Sequence, residues 1–225
     1  MKKFLVALCI VFSSPFYGQT NFNAGISMGG NDLNYGSTFF YNTRNVVLGS
    51  VYLFDEWTNS AEIHTLSNER FLVRNINLNI NRNAFEAKLN NSDSIFSFNF
   101  NNIKKILIND KTYKNYFYND DNRVYEIIYE SEKFSIMKGF AIKLVSKGAN
   151  PMLNRANDKY AKFSSYFVKR DNSIKPFRLR KKSIHNLLDN DKNIISRLDF
   201  YITSENLSYK NEDDVAQILD YAFNL

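Results

Sequence analysis

Short runs of β-branched and aromatic residues succeed one another across residues 46–146, and they constrain the fold more than any other feature of the sequence. Examples are VVLGSVYLF, RFLVRNINLNI, SIFSFNF, KKILIN, RVYEIIYE and FAIKLVS. Asparagine, aspartate and glycine, which favour turns, fill the gaps, as at Asn109-Asp110 and Lys138-Gly139. Because no helical spacing separates the runs, we predict a mainly β (α+β) fold. An antiparallel meander would form a roll, a sandwich or a partly open barrel.

The period of the apolar residues changes after a predicted hairpin that turns at Asp171 and Asn172. Apolar residues then recur at the i, i+3, i+4 spacing of amphipathic helices. They include Ile184, Leu187, Leu188, Ile194, Leu198, Val215, Ile218 and Leu219. Asn211, followed by three acidic residues, predicts a capped helix start. We expect a β-rich domain over residues 46–180 and a cap of three short helices over 181–225, packed on it because short helices need tertiary contacts.

The run NINLNIN, residues 75–81, alternates asparagine with isoleucine or leucine in the two-residue repeat of a β-strand. We predict that Ile76, Leu78 and Ile80 are buried and that the four asparagines are mostly exposed. Asparagine is a poor strand former, yet it is abundant along the whole chain with other residues of A/T-rich codons. We therefore interpret the run as genome composition. The alternative is an asparagine ladder that binds a ligand in a cleft.

The chain begins with Lys2 and Lys3, a short apolar stretch and a small-residue end near Gly18, which is the layout of a secretory signal peptide. The apolar stretch is too short for a bilayer core of roughly 30 Å. We predict a signal peptide over residues 1–18, an irregular leader over 19–45 and no transmembrane segment after cleavage. The chain would then be exported to the periplasm or the cell exterior, including the periphery of the outer membrane.

Charge and cysteine content exclude several classes of function. The chain has 29 Lys and Arg against 23 Asp and Glu, a net charge of +6, and loss of Lys2 and Lys3 would leave +4. So mild an excess does not indicate a nucleic-acid partner. Cys9, the only cysteine, lies in the predicted signal peptide. A cleaved chain would therefore have no disulfide, thiolate metal site or cysteine nucleophile.

Two segments carry a resemblance to known proteins: GSVYLFDEW at residues 49–57 and LSYKNEDDVAQILDYAFNL at residues 207–225. The chain resembles uncharacterised exported proteins of Bacteroidetes, in which a Gly-Ser-x-Tyr-Leu element starts a run of short strands. In that family a Lys-rich strand leads into two or three terminal helices. The likeness covers most of residues 46–225. It implies export and architecture, and it brings no activity, substrate or catalytic residue.

Glu62 and His64 are the candidate catalytic residues, together with Asp55 upstream. Glu62 and His64 lie two apart on a predicted strand and so share a face. They could form a carboxylate and imidazole pair, although a solvated strand face explains them equally simply. No HExxH, paired-histidine spacing or acidic calcium loop is present, and serine-hydrolase and nucleotide-phosphate motifs are missing. We expect no metal and no cofactor, so chelation should leave the melting temperature unchanged.

Tyrosines crowd two neighbouring predicted strands and are candidate ligand-binding residues. They include Tyr113, Tyr116, Tyr118, Tyr125 and Tyr129. A tyrosine-lined sheet face could stack sugars or grip a peptide. Tyrosine is also a common strand residue with an apolar body, so we favour structural packing for most of them.

A basic strip over residues 169–182 includes Arg178 and Arg180, which alternate with Phe177 and Leu179. The strip could dock an anionic partner such as lipid headgroups or an acidic glycan. We favour the simpler interpretation, in which the charges point to solvent and acidic residues of the terminal helices partly neutralise them. We therefore predict no salt-sensitive binding of the strip to anionic liposomes or acidic polysaccharide.

These observations favour an exported cell-envelope accessory or binding protein that acts without a cofactor. Its expected partner is an envelope component or a glycan. The alternative is a cofactor-free envelope hydrolase that uses carboxylates or a carboxylate and a histidine. Because the sequence contains no catalytic motif, we favour binding over catalysis.

Overall fold

The computed structural model describes residues 46–89, 94–146 and 157–225, which all lie in one compact unit. The predicted signal peptide, 1–18, and leader, 19–45, lie outside the described residues. None of the described helices is long and apolar enough to cross a lipid bilayer.

Strands dominate the described part of the chain, and three α-helices follow them. The strands are β1 (Val47–Leu48), β2 (Ser60–Thr65), β3 (Arg70–Arg74), β4 (Ile76–Asn79), β5 (Ala84–Lys88), β6 (Ile95–Ser97), β7 (Ile103–Ile108), β8 (Lys111–Tyr118), β9 (Asp121–Glu130), β10 (Ser135–Val145), β11 (Asp158–Arg170) and β12 (Ser173–Phe177). The helices are a 3-10 turn (Phe100–Asn102), α1 (Lys181–Leu187), α2 (Lys192–Ser204) and α3 (Glu212–Phe223). The predicted mainly β fold with a three-helix C-terminal cap is confirmed.

One large sheet has the strand order β1-β11-β10-β9-β8-β7-β2-β3, and β12 also pairs with β11. Strands β7 to β11 are neighbours in chain order, which confirms the antiparallel meander, whereas β1 runs parallel to β11. Two-residue loops join β7 to β8 and β8 to β9. Their residues, Asn109, Asp110, Asn119 and Asp120, all have positive φ. Asparagine and aspartate tolerate this conformation, which gives hairpin loops the twist of the strands they connect.

The second sheet contains β4, β5 and β6. The predicted continuous strand RFLVRNINLNI is divided at Asn75, whose φ of 55° turns the chain out of the large sheet and into the small one. The predicted strand VVLGSVYLF forms only β1, because Gly49 follows with a φ of 86°. The predicted turn at Lys138-Gly139 is also wrong, because both residues lie inside β10.

The buried isoleucines and leucine of residues 75–81 are confirmed, but the prediction for the asparagines is wrong at Asn77 and Asn79, which are also buried. The segment of residues 52–56 covers their face. Asn77 Oδ1 accepts from the Phe54 N–H at 3.0 Å, and Asn77 Nδ2 donates to the Phe54 carbonyl at 2.8 Å. Asn79 Nδ2 donates to the Glu86 carboxylate at 3.2 Å. Both amides bind this chain itself, so neither composition nor a ligand ladder explains them.

Two hydrophobic cores lie side by side on one face of the large sheet. The first core packs β4 and β5 against β2, β7 and β8, and the second packs the helices against β9 to β12. Tyr113, Glu126, Lys138 and Tyr166 pair in register across β8 to β11, so their side chains share a face. Tyr113 belongs to the first core, whereas Lys138 and Tyr166 contact Glu212 at the start of α3. We call this the covered face.

Alternation along the strands places Tyr116, Tyr125, Gly139 and Phe167 on the opposite side of the large sheet, which we call the second face. The predicted capped start of the third helix, α3, is confirmed. Asn211 Oδ1 accepts from the N–H groups of Asp213 and Asp214, and Asp191 caps α2 in the same way.

Candidate ligand-binding site

The candidate site lies where β9 and β10 separate. These strands pair from Ser135 with Glu130 to Gly139 with Tyr125, and no pair of described residues continues the ladder. Beyond that point β10 follows β11 alone, while residues 121–124 of β9 pair with β8. A split of this kind turns two strand edges, with their N–H and C=O groups, toward one opening.

A cavity of about 160 Å³ occupies the split. It is lined by Asn83, Arg123, Val124, Tyr125, Gly139, Phe140, Ala141, Ser165 and Phe167. The lining combines two aromatic rings of β10 and β11 with an arginine and a tyrosine of β9. None of these lining residues is acidic.

Tyr125 is buried, and its hydroxyl has no hydrogen-bond partner among the described residues. Its ring contacts the Phe167 ring edge-on, with centroids 5.4 Å apart. Burial raises the pKa of Tyr125 to about 12, with a smaller contribution from Tyr118 and an opposing one from Arg123. The hydroxyl is therefore a protonated donor at neutral pH. Buried polar groups are nearly always paired, so this one indicates a missing partner.

Arg123 presents a second buried donor without a partner. Its Nε is buried and makes no hydrogen bond within the described residues, and none of the ion pairs found there includes Arg123. Its guanidinium carbon lies 5.9 Å from the centroid of the Tyr118 ring, a cation–π arrangement that holds the side chain in place. Both unpaired donors thus come from adjacent positions on one face of β9.

Gly139 provides the space in which the rings of this site meet. A Cβ atom built on Gly139 would lie 3.0 Å from Phe167 Cε2 and 3.1 Å from Tyr125 Cε1. Glycine inside a strand often marks such a close approach. Any larger residue would have to displace at least one of the two rings.

The structure divides the five predicted tyrosines into two groups. Tyr116, Tyr118 and Tyr125 lie together on the second face, where the ring of Tyr118 also contacts Phe167. Tyr113 and Tyr129 belong to the two cores instead, so for them structural packing accounts for the position. Sequence reasoning missed Arg123, Gly139 and Phe167. The glycine inside an apolar run was the available signal, because such a glycine points to close packing as readily as to a turn.

The structure brings Glu62 and His64 together on β2, with Glu62 Oε1 and His64 Nε2 2.8 Å apart. The contact lacks hydrogen-bond geometry, since His64 Nε2 has no hydrogen-bond partner among the described residues. Arg70 also lies 3.6 Å from the same carboxylate. Asp55 is highly exposed and pairs with Lys162 of β11, so it contributes nothing to the pair. Within the described residues no three His, Cys, Asp or Glu side chains converge as metal ligands.

Two carboxylates of the covered face are each paired with a lysine, and we call these residues the acid–lysine cluster. Glu126 contacts Lys111 at 2.5 Å, while Glu212 contacts Lys138 at 2.9 Å and the Tyr166 hydroxyl at 2.6 Å. Burial raises the pKa of Glu212, but the hydrogen bonds from Tyr166 and Lys138 outweigh it and hold the pKa below its usual range. A general acid needs the opposite shift. Glu212 therefore serves to fix α3 on the sheet, through Lys138 and Tyr166.

The basic strip alternates as predicted: Arg178 and Arg180 are exposed, while Phe177 and Leu179 are half-buried. Arg178 and Arg180 line an open groove of about 450 Å³ beside α1, together with Arg170 and Lys175. Neutralisation by the acidic helices is found at Lys181, which pairs with Asp199 at 2.8 Å. For the other basic residues of the strip, the described part of the chain contains no acidic partner.

The split between β9 and β10 is thus the place where buried donors, aromatic rings and an opening coincide. The resemblance to exported proteins of Bacteroidetes stays a prediction. Comparison of the chain with protein-family models, with curated proteins and with solved structures found no match, so any function has to be argued from the geometry of this site.

Proposed function

We propose that this protein is an exported cell-envelope binding protein that holds one sugar ring of a glycan in the split between β9 and β10, without a cofactor. A single observation carries the proposal: the Tyr125 hydroxyl and Arg123 Nε are buried beside one cavity and lack partners among the described residues. A ligand with acceptor oxygens would satisfy both donors. Each buried group left unpaired costs about 1–3 kcal/mol, so their satisfaction favours the bound state.

The size and lining of the cavity favour a sugar ring as the bound group. Its volume of about 160 Å³ is well below the roughly 300–1,000 Å³ of pockets that enclose whole drug-sized ligands. The cavity would therefore take one ring or a chain end. The half-buried ring of Phe167 can pack against the C–H groups of a sugar, while Ser165 and Asn83 can bind its hydroxyls.

Binding accounts for the site better than hydrolysis does. A glycosidase needs two carboxyl groups on either side of the bond that it cleaves. No carboxylate lines the cavity, and the paired carboxylates of the covered face are held by lysines and tyrosines. Neither the cavity nor the covered face therefore supports a glycosidase mechanism.

Substitution of Tyr125 by Phe tests the proposal, because it removes the hydroxyl and keeps the ring. Saturation-transfer NMR with oligosaccharides of bacterial envelope polysaccharides should detect binding to the natural protein. We expect roughly fivefold weaker binding for Tyr125→Phe, the effect of one lost hydrogen bond. Its stability should stay the same or rise by up to about 1 kcal/mol, since an unpaired buried group disappears.

Tyr113→Phe is the matched control, because the Tyr113 hydroxyl lies on the covered face near Glu126. This variant should bind sugars like the natural protein. Absence of any sugar binding, or equal losses in the two variants, would refute the proposed site.

A further inference from the structure

We infer that the sugar held in the split is an acidic one, whose carboxylate is bound by Arg123 and Tyr125. This inference rests on the proposed function and adds to it the chemical class of the ligand. It depends on the charge of the cavity and on the geometry of its two donors.

The cavity lining carries one formal charge, that of Arg123, and no acidic residue balances it. The guanidinium group cannot lose its proton in a protein. Because Arg123 Nε is shielded from water and forms no ion pair with a described residue, the charge lacks a counter-ion. Arg123 as a whole is half-buried, and an anion bound in the cavity would pair its charge and accept the hydrogen bond that the buried Nε–H lacks.

A carboxylate fits these donors better than other anions. Its two oxygens match the planar fork of a guanidinium group, and hydrogen bonds between charged groups are roughly twice as strong as neutral ones. Tyr118 lies against the Arg123 guanidinium, which leaves its other edges for the ligand. The protonated Tyr125 hydroxyl can donate to the same carboxylate. A phosphate monoester carries between one and two charges near neutral pH, more than the single cation of the lining can balance.

The basic groove beside α1 is a weaker candidate for the same ligand. Arg178 and Arg180 are exposed to solvent, so their charges are hydrated without a ligand. No buried side-chain donor without a partner is found there within the described residues. Arg178 therefore provides a matched control for Arg123, since each substitution by glutamine removes one positive charge.

Isothermal titration of the exported chain with a uronic-acid oligosaccharide, and with the same oligosaccharide after reduction of its carboxyl groups, tests the inference. We expect the acidic form to bind about tenfold more tightly, the effect of one hydrogen-bonded charge pair. Arg123→Gln should abolish this preference, and Arg178→Gln should retain it. Arg123→Lys keeps the charge without the fork, so its preference should be intermediate.

The outcomes separate the inference from the proposed function. If both oligosaccharides bind equally well and Tyr125→Phe weakens both, sugar binding stands and the carboxylate is wrong. If neither oligosaccharide binds, the proposed function fails and the inference fails with it. Equal loss of preference in Arg123→Gln and Arg178→Gln would show general charge attraction and would also overturn the inference. Circular dichroism and melting temperatures should show that each variant keeps the fold.

Discussion

Replacement of Asn77 by alanine should destabilise the protein strongly, although it removes only a small polar side chain. Asn77 is fully buried, and its amide makes four hydrogen bonds. Its Oδ1 accepts from the N–H groups of Phe54 and Leu78, and its Nδ2 donates to the carbonyls of Phe54 and Glu56. These bonds hold the segment of residues 52–56 on β4. The alanine variant has no group that can replace them.

The magnitude follows from the groups that lose a partner. An unpaired buried group costs about 1–3 kcal/mol, and four groups are affected. Water reaches part of Phe54 and Glu56, because these residues are half-buried and exposed, so the lower end of the range applies to them. With about 1 kcal/mol for each of the four groups, we expect a loss of about 4 kcal/mol in the free energy of unfolding. For a chain of this size this corresponds to a melting temperature lower by roughly 8–16 °C.

Urea denaturation, followed by circular dichroism and extrapolated to water, measures this loss. Asn81→Ala is the control, since Asn81 belongs to the same alternating run but is exposed. Its effect should stay within about 0.5 kcal/mol. Equal urea midpoints for the two variants would refute the reasoning, and genome composition would then suffice to explain the asparagines.

Three further predictions concern other parts of the fold. Gly139→Ala should displace the Phe167 or Tyr125 ring, and two-dimensional NMR should show shifts at both rings together with weaker sugar binding; unchanged spectra would contradict the close contact. The pKa of Glu212 lies below its ordinary value near 4.5, so the stability that it contributes is complete above pH 4.5 and is lost as the pH falls through the lowered pKa. Glu212→Gln should therefore weaken the acid dependence of unfolding, measured in urea from pH 7 to pH 3, whereas Glu205→Gln at an exposed site should not. Finally, cosedimentation with anionic liposomes should show no binding that depends on salt, and binding at low salt that disappears on replacing Arg178 and Arg180 by glutamine would contradict this.

Local chemistry made much of the fold predictable. Turn residues such as Asn109 and Asp110 adopt positive φ because asparagine and aspartate tolerate this conformation, which depends on these two residues alone. The helix start at Asn211 likewise depends on its own side chain and the next few N–H groups. The mainly β fold and the helical cap follow from such signals together with hydrophobic periodicity.

The burial of Asn77 and Asn79 could not be predicted from the same periodicity. Alternation assigns the residues of a strand to two sides, but it does not show whether other parts of the chain pack over both of them. Asn77 is buried because Phe54, which lies 23 positions away along the chain, packs over it and binds its amide. Such a contact depends on how the small sheet turns out of the large one at Asn75, and that path is not encoded in the run itself.

The candidate site could not be predicted from the sequence, for a related reason. Arg123, Gly139 and Phe167 lie on three different strands, and they converge because the ladder between β9 and β10 ends at one pair. The sequence of β9 or of β10 alone does not indicate where the pairing between the two strands ends. The tyrosine pattern identified three of the rings around the site, but it did not predict the cavity between β9 and β10.

The split connects the stability of the protein with its proposed activity. Two buried donors without partners destabilise the free protein by about 1–3 kcal/mol each, and a bound carboxylate would recover much of that free energy. Ligand that binds only the folded state raises stability by about 2.7 kcal/mol at a hundredfold excess over its dissociation constant. For a chain of this length the melting temperature should then rise by roughly 5–11 °C. The rise should be smaller in Tyr125→Phe, because that variant has one unmet donor fewer before the ligand binds.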